Sequence, residues 1–138
     1  MNTNRLIAAI IAAFVFIFAS DILIHQLWLK NDYAATASLW RTEAEMTPRM
    51  PWMLAGQLLC AVTFVMIYAG GFADRSKGPL CGAIFGLFVG LFQQAGTLIT
   101  YTVMPLPLSL AMKWFIAGLV QTALLGVVTF FVYKPLPK

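Results

Sequence analysis

Charge is what this sequence has least of. Only 10% of its 138 residues are Asp, Glu, Lys or Arg and 61% are hydrophobic, against roughly 25% and 45–50% in an average soluble domain. A chain this short cannot bury so much apolar surface against itself in water, which excludes an ordinary soluble globule. One histidine and two cysteines leave little for metal or redox chemistry. There is no HExxH, Glu-x-x-His or CxxC, which argues against a zinc hydrolase, a di-iron bundle and a thiol oxidoreductase. Nor is there a G-x-S-x-G elbow, a phosphate-binding glycine loop or a dinucleotide fingerprint. The net charge of +4 comes from basic residues scattered singly, without the clustered face that nucleic acid requires.

Long apolar runs fill the space that charge leaves. Four of them, at about 6–29, 52–72, 80–103 and 108–132, are long enough to cross a hydrocarbon core of roughly 30 Å as helices. Strand alternation is absent, and a backbone in lipid must satisfy its own polar groups. The expectation is an all-α, four-helix transmembrane bundle forming one integral-membrane domain over residues 1–138, with the lipid bilayer as its first partner and no nucleic-acid partner. Arg5 before an apolar run suggests a secretion signal. Cleavage after Ala19 or Ser20 would place Ile17 or Phe18 where a small residue is needed, so the first helix is expected to be retained.

The connections at 72–79 and 104–107 are short, so helices two and three, and three and four, are expected to be antiparallel neighbours. The first connection, 30–51, is long for a bundle. Within it Tyr33, Ala37, Trp40 and Ala44 recur at helical spacing, predicting a short interfacial helix ended by Pro48 and Pro51. Arg5, Arg75, Lys77, Lys134 and Lys138 lie on the side of the termini; Lys30, Arg41, Arg49 and Lys113 lie on the other. That balance, with the charge concentrated in the second loop, predicts both termini on the cytoplasmic side.

Two patterns carry functional expectations. Gly78, Gly82, Gly86 and Gly90 repeat every fourth residue, a stripe that lets another backbone approach closely, and Gly118 and Gly126 on the fourth helix return to one face. The stripe serves packing inside the bundle or between copies. Separately, the strongly polar residues gather towards the first and third loops. Asp21, His25, Gln57, Gln94 and Lys113 are the candidate lining of a ligand site, with Trp40 at its mouth; Gln121 lies near mid-depth. Tyr68 and Tyr133 are expected in an aromatic belt at the opposite interface.

A carboxylate within hydrocarbon costs at least about 2.5 kcal/mol, so Asp21 must face the bundle and hold a partner, for which His25 and Lys113 are the candidates. A metal would draw on Asp21, His25, Glu43 and Glu45 if the first loop folded back over the bundle. A general base at His25 oriented by Asp21 or Glu43 is the enzymatic alternative; no second group at a diagnostic spacing supports it, so a non-enzymatic role is expected.

With its polar pair late in helix one, its aromatic and acidic first loop and its glycine ladder, the layout resembles small four-helix bacterial inner-membrane protein families of unknown function. The resemblance implies a multi-pass protein of that membrane and no particular activity or cofactor. Two functions remain in view: an accessory or self-assembling subunit of a membrane complex, homo-oligomeric or with other membrane subunits, using the glycine ladder as contact surface; and a small-molecule, ion or quinone binding or transport module built on the polar cluster at the non-cytoplasmic side.

Overall fold

A computed structural model describes residues 2–75 and 77–133. Lys134 and Lys138, which entered the orientation argument, lie outside them. The described residues are helical with no strand, and four of their helical segments are long and apolar enough to cross a membrane. The protein is therefore an all-α, multi-pass transmembrane bundle. Helix α1 is Thr3–Asp21 and runs on in π-helical form through Ile22–Trp28. Short helices α2, Lys30–Ala35, and α3, Glu43–Met46, follow in the first loop. Then come α4, Met50–Ile67, extended in π form over Tyr68–Phe72, α5, Pro79–Val103, and α6, Leu108–Val132.

Loop one departs from the single helix expected of its spacing. It is broken into α2, a 3₁₀ turn at Ala37–Leu39, α3 and a second 3₁₀ turn at Thr47–Arg49. Thr42 and Glu45 form a capping box that starts α3 afresh, because a hydroxyl and a carboxylate three residues apart satisfy each other's orphan N–H groups. Pro48 sits in the second 3₁₀ turn, and Pro51 occupies the first turn of α4. There its missing N–H is no loss, so this proline begins a helix rather than ending one.

Small residues decide which helices touch. In α1, Ala9, Ala13 and Ile17 recur every fourth residue and are buried, joining Ala61, Phe64, Val65 and Tyr68 of α4 in one core. The larger Ile7, Ile11, Val15 and Phe18 of α1 point outward and are exposed; in a bilayer these are the lipid-facing surface. The glycine stripe works between α5 and α6. A Cβ on Gly86 would collide with the Thr122 carbonyl, one on Gly82 with the Gly126 carbonyl, and one on Gly90 with the Thr122 hydroxyl. Gly126 is equally filled by the Gly82 carbonyl, and Gly118 by the Gln94 amide. Gly78 stands apart as the N-cap of α5, with open space where its side chain would be.

The expected pairing of α5 with α6 is the closest in the bundle; α6 also lies on α1, and α1 on α4, so the order around the bundle is α4, α1, α6, α5, with α5 returning to α4. Although consecutive in the chain, α4 and α5 meet through bulk: Phe64, Tyr68 and Phe72 surround Phe85 with ring centroids 5.0, 5.3 and 5.1 Å away. Tyr133 adds an edge contact to Tyr68 at 6.3 Å. Tyr68 and Tyr133 are thus buried core residues, not members of an interfacial belt. Aromatic rings at that crossing hold α4 and α5 apart, whereas glycine brings α5 and α6 together.

Filling the glycine contact separates the two kinds of glycine. Gly86→Leu is expected to destabilise the fold in micelles by about 1–3 kcal/mol through overpacking. Gly78→Ser, at an N-cap where serine is preferred, should shift stability by no more than about 0.5 kcal/mol. Unfolding curves of the two variants against wild type read the difference directly.

A candidate ligand cleft at the polar end of the bundle

Two polar clusters stand where the sequence suggests one. The first is centred on Asp21, at the last residue of α1 before the turn register changes. Its Oδ2 accepts from Gln57 Nε2 of α4 at 2.6 Å and its Oδ1 from Gln121 Nε2 of α6 at 2.7 Å. Gln121 Nε2 also donates to Ser20 Oγ at 2.7 Å, and the Ser20 hydroxyl donates to the Phe16 carbonyl at 2.6 Å. Neither partner proposed for Asp21 is used. Lys113 is taken instead by Asp32 of α2, Nζ lying 2.7 and 2.9 Å from its two carboxylate oxygens.

That ion pair belongs to the second cluster, where loop one folds down on α6. Trp114 Nε1 donates to the Tyr33 hydroxyl at 2.9 Å, and Tyr33 lies 2.6 Å from His25 Nδ1. An indole N–H can only donate, so the phenol oxygen accepts it, and the same hydroxyl shares a hydrogen bond with His25 Nδ1 whose direction follows the imidazole tautomer. Trp40 packs edge-on to Tyr33, with centroids 5.4 Å apart, and lies 5.8 Å from Trp114; its Nε1 donates to Thr36 Oγ1 at 2.8 Å. Below them Leu29, Leu106 and Leu110 are buried. Trp40 is therefore part of a filled plug over the α5–α6 turn and not the lip of a cavity.

The cavity lies beside that plug. A cleft of about 490 Å³ opens between α4 and α5, with α1 and α6 as its back wall. Gln57, Asp21 and Gln121 line it together with Ile17, Gly56 and Cys60, among others. Of the sequence candidates, then, Asp21 and Gln57 come together here. His25, Lys113 and Trp40 join the loop cluster. Gln94 turns towards α6, over Gly118, with its Oε1 accepting from Thr97, while the adjacent Gln93 lines the cleft instead. Among the described residues no three His, Cys, Asp or Glu side chains gather to hold a metal, so Asp21, His25, Glu43 and Glu45 do not converge. Cys60 and Cys81 are both free thiols.

Three features of the cleft are unusual for a packed bundle. Gln57 is only 8% exposed, yet its Oε1 accepts no hydrogen bond, and a buried acceptor left alone costs about 1–3 kcal/mol. The volume falls within the roughly 300–1,000 Å³ of small-molecule sites. Finally, the seven residues after Asp21 are π-helical, a local widening of the helix that is frequent at functional sites. Gln121, Ser20 and Asp32 are the participants that sequence reasoning did not select. Gln121 shares the bundle-facing spacing of Gly118 and Leu125, and that spacing was the available signal.

The loop cluster makes its own prediction. Burial raises the Tyr33 phenol above its usual value, the Trp114 hydrogen bond opposes this, and Asp32 and Asp21 add to the rise. The unfolded chain therefore releases this proton first. The contribution to stability is whole below the ordinary phenol range near about pH 10 and is lost as pH climbs through the raised value. Tyr33→Phe is expected to flatten the alkaline loss of stability relative to wild type, as measured by unfolding at a series of pH values; unchanged slopes would contradict the assignment.

Comparison with models of known protein families, with curated proteins and with solved structures finds no match to this chain.

Proposed function

We propose that this protein is a non-enzymatic, membrane-embedded binding module that takes a lipid-soluble molecule with a polar end from the bilayer through the gap between α4 and α5. The observation that carries this reading is the cleft itself. An apolar trough of about 490 Å³ ends on the Asp21 carboxylate and on Gln57, whose buried Oε1 lacks a partner. Exposed walls at Met53, Ile67 and Phe92, with Val89 behind them, suit a chain or ring system, while the floor suits one polar group. The orientation rule and the resemblance to bacterial inner-membrane families support a site in the outer half of that membrane, with both termini in the cytoplasm.

The rival reading is an accessory or self-assembling subunit with the glycine ladder as its contact surface. Gly82, Gly86 and Gly90 are occupied within the chain by α6, so the ladder offers no surface to a second copy. Loading of the cleft is therefore the better-supported function.

Gly56 gives a clean test. It lines the cleft, and a Cβ added there meets nothing within 4 Å, so Gly56→Phe starts its side chain in open space and is expected to fill part of the trough. Native mass spectrometry of wild-type protein extracted from its own membrane is expected to retain a lipophilic small molecule, and Gly56→Phe to reduce its occupancy by about tenfold, the effect of losing roughly 1.4 kcal/mol of binding. Equal occupancy in the two proteins, or none in either, would contradict the proposal.

A further inference from the structure

The polarity of the cleft narrows the chemistry of what it binds, on the reading that the cleft is a ligand site. Of its lining residues, Asp21 alone carries a formal charge. Lys113 is held by Asp32, and no lysine or arginine lines the trough. His25 is the next ionisable group along the helix, but its Nδ1 is engaged with Tyr33 and it lies outside the lining. The trough thus presents one negative charge in surroundings of low dielectric, where an unmatched charge is most strongly felt.

Hydrogen-bonding capacity at the floor points the same way. The Thr63 and Thr122 hydroxyls donate to the Leu59 and Gly118 carbonyls of their own helices, leaving only lone pairs to the cleft. Gln121 Nε2 gives its two protons to Ser20 and Asp21, and Gln57 Nε2 gives one to Asp21. What remains unmet there is the Gln57 Oε1 acceptor together with the second Gln57 N–H. Other donors are found on the exposed Gln93 and on Trp52, which is 80% exposed. A carboxylate beside an unpartnered buried acceptor is complementary to a cationic donor.

We propose that the ligand is a lipophilic amine: an apolar chain or ring system bearing a protonated nitrogen with N–H donors and no anionic group of its own. One N–H meets an Asp21 oxygen and another supplies the hydrogen bond that Gln57 Oε1 lacks. An oxidised quinone offers only carbonyl acceptors, which the second Gln57 N–H can meet but which bring no donor to the Asp21 carboxylate or to Gln57 Oε1. A phosphoethanolamine lipid carries the right ammonium, but its phosphate would enter a trough with no cation to meet it.

Cys60 lines the cleft and reports its occupancy. The experiment uses the full chain carrying Cys81→Ala, in phosphatidylcholine nanodiscs, and follows N-ethylmaleimide labelling of Cys60 by mass spectrometry. The probes are dodecylamine, dodecyltrimethylammonium, dodecanol, decylubiquinone and a lysophosphatidylethanolamine. Dodecylamine is expected to protect Cys60 at a concentration about tenfold or more below every other probe, the scale of one charge-assisted hydrogen bond. Asp21→Asn should abolish that advantage, and Gln57→Leu, which keeps the carboxylate, should reduce it.

The wild-type probe series stands even where a variant fails to fold. If several probes protect at similar concentrations, the cleft binds apolar chains and the amine assignment is overturned while the binding function survives. Best protection by the lysophosphatidylethanolamine would assign the ammonium to a membrane lipid and overturn the exclusion of an anionic companion. Protection by none would overturn both readings.

Discussion

Gln57 lies seven residues inside α4, so the carboxylate it bonds is held roughly 10 Å within the span. Leaving that carboxylate unpartnered in hydrocarbon would cost at least about 2.5 kcal/mol. Asp21 is instead gripped at both oxygens by amides from two different helices. The grip joins α1 to α4 on one side and to α6 on the other, the two helices that α1 packs against. Amides rather than cations satisfy it. On the proposed reading, a carboxylate with no cation beside it gives the cleft a chemical preference as well as a shape.

The opening itself follows from side-chain size along the helix faces. Glycines every fourth residue let α5 and α6 approach until carbonyls stand where Cβ atoms would be. Alanines at Ala9, Ala13 and Ala61 give α1 and α4 a close contact as well. At the crossing of α4 and α5 stand Phe64, Tyr68, Phe72 and Phe85, which seal that end of the bundle and prop the two helices apart above it. The loop-one plug of Tyr33, Trp40 and Trp114 covers the neighbouring α5–α6 turn, so the gap between α4 and α5 stays open to the lipid.

The membrane spans were legible because a helix in lipid needs about 20 apolar residues and the chain supplies four such runs; their observed ends fall within a few residues of those expected. The glycine stripe was legible too, since spacing alone puts Gly82, Gly86 and Gly90 on one face. Partner choice was not. The need for an ionisable partner at the same end of the bundle made Lys113 and His25 the candidates for Asp21, whereas the packing of α6 on α1, which no one-dimensional pattern records, puts Gln121, thirteen residues into α6, beside Asp21. The same limit explains Gln93 and Gln94. Adjacent on α5, they face different sides, and only the closeness of Gly118 to α5 determines which one turns away from the cleft. Loop one was misread for another reason: Tyr33 and Trp40 do share a face, but the Thr42–Glu45 capping box restarts the helix between them and α4.

Whether Gln57 and Gln121 clamp Asp21 is read by a pair of double-mutant cycles. Unfolding free energies of Asp21→Asn, Gln57→Leu, Gln121→Leu and the two double variants that share Asp21→Asn give a coupling for each bond. Each double variant is expected to lose less than the sum of its singles by about 1 kcal/mol or more, the mark of a shared hydrogen bond. Additivity within about 0.3–0.5 kcal/mol in both cycles, the behaviour of independent sites, would contradict the clamp and the account of the cleft that rests on it.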